Sequence, residues 1–261
     1  MNNENLSAQQ VKLFASLLHK KFRHEHGLFI AEGENAVFEG LVTVPDTCER
    51  VIATKEYASN HPTLQHKIDL AGTELTVLDT KSFAKLCDAK TPQGILGVFA
   101  IPTHFSEELL QKNQRCILYL DKIADPGNLG TIIRTADWFG FRHILLSETC
   151  ADPYAPKVVR STAGSLFRSS LYREISIATL ERFIQKGYTL TLADIKGVSP
   201  QDAYWGEKNI LSVSNESAGP SVELSRIAKQ RISVPGSGIT ESLNVASAAS
   251  ILLYEAFLKL R

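Results

Sequence analysis

The 261-residue chain has only four cysteines, Cys48, Cys87, Cys116 and Cys150, set far apart and without any C-x-x-C pair. This spacing argues against a disulfide frame or a thiolate zinc site and suits the reduced or buried thiols of a cytosolic protein. The seven histidines lack ligand spacing as well, so no metal is expected. No apolar run approaches the roughly 20 residues of a membrane span, so no membrane association is expected. Residues 1–7 have no apolar core behind basic residues, which is unlike a signal peptide. A cytoplasmic location is the expectation. An excess of charge is also missing: 28 basic residues face 28 acidic ones, and mean hydropathy is −0.06. Any polyanion must therefore be held by local patches instead of a global field. Neither G-x-G-x-x-G nor G-x-x-x-x-G-K-[ST] occurs, which leaves the usual dinucleotide and P-loop routes unsupported; G-x-S-x-G is absent too.

What is present is an ordinary globular composition, 44% hydrophobic and 21% charged, on a chain long enough for two domains. Apolar periodicity predicts helices over 7–19, 32–41, 55–60 and 81–87, and strands over 28–31, 50–53, 75–78 and 95–100. After a polar stretch comes the apolar run Cys116–Asp121, typical of a buried parallel strand. Asp125-Pro-Gly-Asn-Leu-Gly130 breaks that run. A helix follows with Leu129, Ile132, Ile133, Ala136 and Phe139 on one face and Gly140 at its end. Further strands are predicted over 143–146, 189–193, 210–213 and 232–234. Strands alternating with helices imply a mostly parallel sheet covered on both faces. The expected organisation is a small α/β domain over 1–105, a linker over 106–114 and a second α/β domain over 115–261.

Three segments in the second half carry chemistry. The first runs from Asp125 to Arg134. Its arginine, among apolar neighbours, is either an interfacial ion-pair member or an anion-binding group, since guanidinium matches phosphate bidentately. In the second, Leu211-Ser-Val-Ser-Asn-Glu-Ser-Ala-Gly-Pro-Ser221, a strand runs into a turn of small residues. Glu216 there either holds a ligand's amine or ribose or caps the next helical turn. In the third, Ile232-Ser-Val-Pro-Gly-Ser-Gly238 leads to Ser242-Leu-Asn244 opening a helix, which puts free backbone N–H groups at a strand's C-terminal end. Two basic clusters stand out: Lys12, Lys20, Lys21 and Arg23 with His19, His24 and His26 interleaved, and Lys157, Arg160, Arg168 and Arg173. The residues expected to meet a polyanion are Lys12, Lys20, Lys21, Arg23, Lys157 and Arg160.

In order, the three segments resemble the three motifs of the SpoU/TrmH family of RNA ribose 2′-O-methyltransferases, within the SPOUT class. Asn128 and Arg134 match the first motif, Asn215-Glu216-Ser-Ala-Gly219 the second, and Val234-Pro235 with Ser242-Leu243-Asn244-Val245 the third. Residues 11–41, with Gly27-Leu-Phe-Ile-Ala-Glu-Gly33, look like the small RNA substrate-binding domain often fused ahead of the catalytic one. The resemblance implies an α/β chain whose C-terminal, mostly parallel sheet is flanked by helices and tied in a trefoil knot, acting as a homodimer on RNA with S-adenosylmethionine as cofactor. It assigns Asn128, Arg134, Glu216, Ser242 and Asn244 to catalysis. Ser214, Val234 and Leu243 would contact the cofactor, with Asn215, Gly219, Ile232 and Gly236 close by. Ser214 stands where the family usually has glycine, and Ser217-Ala218 replaces a more usual pair containing charge. The family mechanism offers the arginine as base. Arginine stays protonated in proteins, so a phosphate clamp that stabilises the forming alkoxide is the preferred reading. Ribosomal RNA is the expected substrate, with transfer RNA open. A catalytically idle RNA-binding scaffold is the rival reading, and a nucleotide-binding α/β enzyme of another reaction type a weaker one.

Overall fold

A computed structural model describes residues 6–102, 114–216, 219–237, 239 and 241–261. The expected linker lies outside the described residues apart from Gln114, as does Ser217-Ala218. Along the described chain the strands are β1 (Leu28–Glu32), β2 (Cys48–Thr54), β3 (Leu75–Leu78), β4 (Ile95–Ala100) and β5 (Cys116–Asp121). They continue with β6 (His143–Leu146), β7 (Ser170–Tyr172), β8 (Thr189–Val198), β9 (Asn209–Ser214) and β10 (Gln230–Ile232). The helices are α1 (Ala8–Ser16), α2 (Lys20–His26), α3 (Glu34–Thr43), α4 (Lys55–Asn60), α5 (Leu64–Leu70) and α6 (Thr80–Ala84). After them come α7 (Pro126–Trp138), α8 (Pro156–Thr162), α9 (Ile177–Gln185), α10 (Val222–Ile227) and α11 (Val245–Lys259). Contacts group these elements into two compact units, Met1–Thr103 with Asp152–Arg168, and His104–Ala151 with Ser169–Arg261.

In the first unit a four-stranded sheet has the order β1-β4-β2-β3, with β4 antiparallel to both neighbours and β2 parallel to β3. Both sheet faces are buried, because alternate strand residues point to opposite sides. Ile52 joins Phe14, Leu17, Ile30 and Phe83 on one side. Val51 and Ala53 join Val37, Leu41 and Ile68 on the other. The helix expected over 7–19 is the shorter α1, and α2, which the sequence reading did not expect, follows from Lys20. Ser7 and Gln10 close a capping box at the start of α1, and the helix ends at Ser16. Arg23, on α2, folds back to donate to the carbonyl of Leu17 at 2.8 Å, so the carbonyl left over by the end of α1 is satisfied by a side chain. Gly27 at φ 64° then turns the chain into β1.

The second unit is a six-stranded, all-parallel sheet of order β10-β8-β9-β5-β6-β7. All six residues of β5 and of β9 are buried, as strands covered on both faces require. On one face Ile117, Tyr119, Leu190 and Ile210 pack with Leu180 and Phe183 of α9. Two expectations shift: β8 runs on to Val198, and β10 covers 230–232 instead of 232–234. One contact accounts for both. A Cβ on Gly197 would sit 2.4 Å from the backbone of Ile232, so β10 presses on β8 where β8 has no side chain. Ser233 N then donates to the carbonyl of Val198 at 2.9 Å and ends the strand. Gly197→Ala is expected to force the strands apart, costing about 1–3 kcal/mol as overpacking does, readable as a lowered denaturant midpoint.

Candidate active site

Parallel strands leave their C-terminal ends open to ligands, and the three segments singled out in the sequence leave from three such ends, those of β5, β9 and β10. Beyond β5 the chain turns through Lys122, a non-glycine residue at φ 58° whose N–H donates to Ser147 Oγ at 2.9 Å. Asp125 caps α7 by accepting from the Asn128 N–H at 2.8 Å, and Pro126 occupies the first helical turn. Asn244 caps α11 by accepting from the N–H groups of Ala246 (3.0 Å) and Ser247 (3.4 Å). Its amide nitrogen donates to Asn128 Oδ1 at 3.1 Å. One hydrogen bond therefore joins the first and third motifs, at the N-termini of two helices of eight or more residues. Helix N-termini carry unpaired N–H groups and partial positive charge, which favours an anion.

The second segment is held by a residue the sequence reading did not single out. Asp121, at the end of β5, is 3% exposed, and its Oδ2 accepts from Ser214 Oγ and from the Ser221 N–H, each at 3.4 Å. Its carbonyl accepts from the Asn215 N–H at 3.1 Å. Asp121 thus grips both ends of the stretch that carries Glu216 and Gly219. The Ser214 hydroxyl is directed at this carboxylate, so the family's glycine is replaced here by a group with its own partner. A terminal acidic residue on an apolar strand was the available signal.

Arg134 is exposed, while Leu129, Ile132, Ile133 and Ala136 of α7 are buried, so the helix keeps its cation on the solvent side. A helical side chain leans toward the helix N-terminus, here the end that carries Asn128. Glu216 is exposed on the turn after β9, and Ser242 and Leu243 are exposed just before α11. No hydrogen bond links Arg134, Glu216 or Ser242 to the asparagine pair among the described residues. Ile232 is fully buried and Val234 half-buried, and Gly236 is exposed. Gly219 (φ 62°) and Gly236 have open space where a Cβ would stand. Both glycines lie beyond strand ends, where a ligand can approach the backbone closely. Burial pushes the Cys116 thiol up to about 12 and also raises Cys150, so neither is a thiolate nucleophile near neutral pH.

The expected RNA-contacting cations all belong to the first unit. Lys12, Lys20, Lys21 and Lys157 are exposed. Arg23 is a correction. Its side chain is 3% exposed and ion-paired with Asp152, which is 5% exposed, at 2.6 Å, so it is a buried structural group and not a surface cation. Arg160, half-buried, bridges Glu32 (3.3 Å) and Asp88 (2.6 Å), and the Glu32 carboxylate also accepts from the N–H groups of Asp88 and Ala89. Its charge is largely spent within the unit. Among the described residues no group of His, Cys, Asp and Glu side chains is arranged to hold a metal, and no helix is long and apolar enough to cross a membrane.

The comparisons with known proteins agree with this geometry. Residues 115–254 match the SpoU rRNA Methylase family and residues 8–97 the MRM3-like substrate binding domain. The chain is 33% identical over 253 residues to the 23S rRNA (guanosine(2553)-2′-O)-methyltransferase RlmP of Bacillus subtilis, covering 96% of this chain and 97% of that protein. It is 26% identical to human mitochondrial rRNA methyltransferase 3, over 93% of this chain and 70% of that one. Among solved structures, an AdoMet-bound rRNA methyltransferase from Sinorhizobium meliloti superposes with a TM-score of 0.82 at 28% identity, covering 98% and 97% of the two chains. The chain belongs to the SpoU rRNA methylase family.

Proposed function

We propose that the protein transfers a methyl group from S-adenosylmethionine to a ribose 2′-hydroxyl of structured RNA, with ribosomal RNA as the substrate class. The observation that carries this reading is the Asn244–Asn128 hydrogen bond, which joins two helix N-termini at the open edge of a parallel sheet. The named relatives act on ribosomal RNA, which favours it over transfer RNA. Ser214, Asn215, Gly219, Ile232, Val234, Gly236 and Leu243 would hold the cofactor, Ser214 and Ile232 through their backbones because their side chains are turned inward. Bound there, the cofactor supplies an electrophilic methyl on a sulfonium.

The protein's task is to align the 2′-oxygen and to stabilise the charge it gains as its proton passes to solvent water. The paired N-termini of α7 and α11 favour that anion. Asn128, whose amide oxygen is taken by Asn244, keeps its NH2 group as a donor. Arg134 clamps the neighbouring phosphate and stabilises the alkoxide, while the Glu216 carboxylate and the Ser242 hydroxyl orient the ribose. The first domain, residues 1–105, holds the RNA, and 115–261 carries the chemistry on a trefoil-knotted sheet, in the cytoplasm. Calorimetry should show one S-adenosylmethionine or S-adenosylhomocysteine site per chain. Mass-spectrometric mapping of ribosomal RNA should lose one ribose methylation when the gene is deleted. Absence of cofactor heat from folded protein would refute the enzyme reading.

The working form is a homodimer. Ile251, Tyr254 and Leu258 make an exposed apolar stripe on α11, and Trp138 is exposed on α7, the helix packed against it. A contiguous apolar patch on a soluble chain marks a partner surface. Ile251→Glu should convert the dimer to a monomer in sedimentation and abolish methyl transfer; a variant still dimeric would move the interface elsewhere.

A further inference from the structure

We propose that a cavity in the first unit receives an unpaired nucleobase of the RNA, an inference that rests on the RNA reading above. The cavity, of about 400 Å³, is lined by Thr54, Tyr57, His61, Phe83, Gln93 and Gly94 among others. It opens where β2 and β3, the parallel pair of that sheet, end and β4 begins. Ligand pockets start near this volume, and the C-terminal ends of parallel strands are where such pockets form.

Its chemistry matches a flat, neutral, hydrogen-bonding group. The His61 ring lies on that of Tyr57 with centroids 4.0 Å apart and planes 17° from parallel, and its Nδ1 is 2.8 Å from the Tyr57 carbonyl oxygen, which holds the ring in place. One face of the imidazole is therefore covered. The side chain is still 40% exposed, which leaves a face for a base to stack on, as single-stranded RNA does on aromatic rings and histidine. Tyr57 is 7% exposed, and burial together with the Glu34 carboxylate that its hydroxyl faces pushes the phenol up. A phenol that donates to a carboxylate keeps lone pairs with which to accept from a base edge. Gln93 Oε1 accepts from the Glu34 N–H at 3.0 Å, which leaves the Gln93 amide NH2 group to donate. No lysine or arginine lines the cavity among the described residues, and Glu56 does, so a phosphate is disfavoured and a base edge is not.

The test uses the full chain and a short single-stranded RNA of mixed sequence, beside the same strand with abasic riboses, titrated by fluorescence anisotropy over a range of salt. Wild type should prefer the strand that carries bases. His61→Ala should weaken that strand on the order of tenfold, the scale of one lost base stack, and Tyr57→Phe by a smaller factor, with both salt slopes unchanged because no phosphate contact is removed. The abasic strand should bind both variants as it binds wild type. Tyr57→Phe keeps the packed ring, so it remains informative if His61→Ala melts early. Equal losses on both strands, an altered salt slope, or no loss in either variant would overturn the pocket and leave the RNA reading standing. If wild type binds neither strand and no ribosomal RNA, the RNA reading falls and the pocket with it.

Discussion

Arg134→Ala should lower the rate of methyl transfer by about 100- to 1,000-fold, the usual effect of removing one preorganised charge from a transition state, while the cofactor dissociation constant stays within a few-fold. The physical reason is position. Arg134 lies on the exposed face of α7, about 9 Å along the helix axis from Asn128, and its long side chain leans toward that end. It packs into no core, since the buried face is made by Leu129, Ile132, Ile133 and Ala136, so the variant should melt close to wild type. Arg134→Lys should recover only part of the rate, because an ammonium cannot grip a phosphate bidentately. Single-turnover methylation and calorimetry, read together, decide the matter. Near-normal turnover in the alanine variant would make Arg134 a bystander.

Arg23→Ala should destabilise the first unit by about 3–5 kcal/mol, the cost of leaving one member of a buried ion pair alone. The Asp152 carboxylate would lose both guanidinium hydrogen bonds, at 2.9 and 2.6 Å, and would keep only the Tyr154 N–H at 3.0 Å. The Leu17 carbonyl at the end of α1 would lose its donor as well. Lys20→Glu with Lys21→Glu makes the contrast. Both side chains are exposed, and surface changes cost within about 0.5 kcal/mol, but RNA affinity should fall and its salt dependence should become shallower. Denaturant midpoints beside anisotropy titrations separate the two kinds of cation. Equal midpoints for Arg23→Ala and wild type would contradict the buried pair.

Those two arginines mark where reading the chain stops short. Arg134 and Asn128 were legible because a motif depends on residue type and spacing along one helix, and both are local. The role of Arg23 was not, since residues 20–26 look uniformly basic and only the fold brings Asp152, 129 positions away, against it. The same holds at the site. Asn244 was visible as a helix cap, but its bond to Asn128 spans 116 positions. Asp121 looked like the polar end of a strand until Ser214 and Ser221 closed on its carboxylate.

The linear pattern determined the strand–helix alternation, the parallel character of the second sheet and the family, because hydrophobic period and motif spacing are properties of neighbouring residues. Element ends followed less well. The helix expected over 7–19 stops at Ser16, and β10 stops at Ile232, because a buried guanidinium and the close approach of two backbones at Gly197 outweigh local preference. Tertiary structure alone decided which cations stay outside, which carboxylate anchors the second motif and which two asparagines meet. Each of these turns on burial or on a partner more than 90 positions away, and no local pattern encodes either.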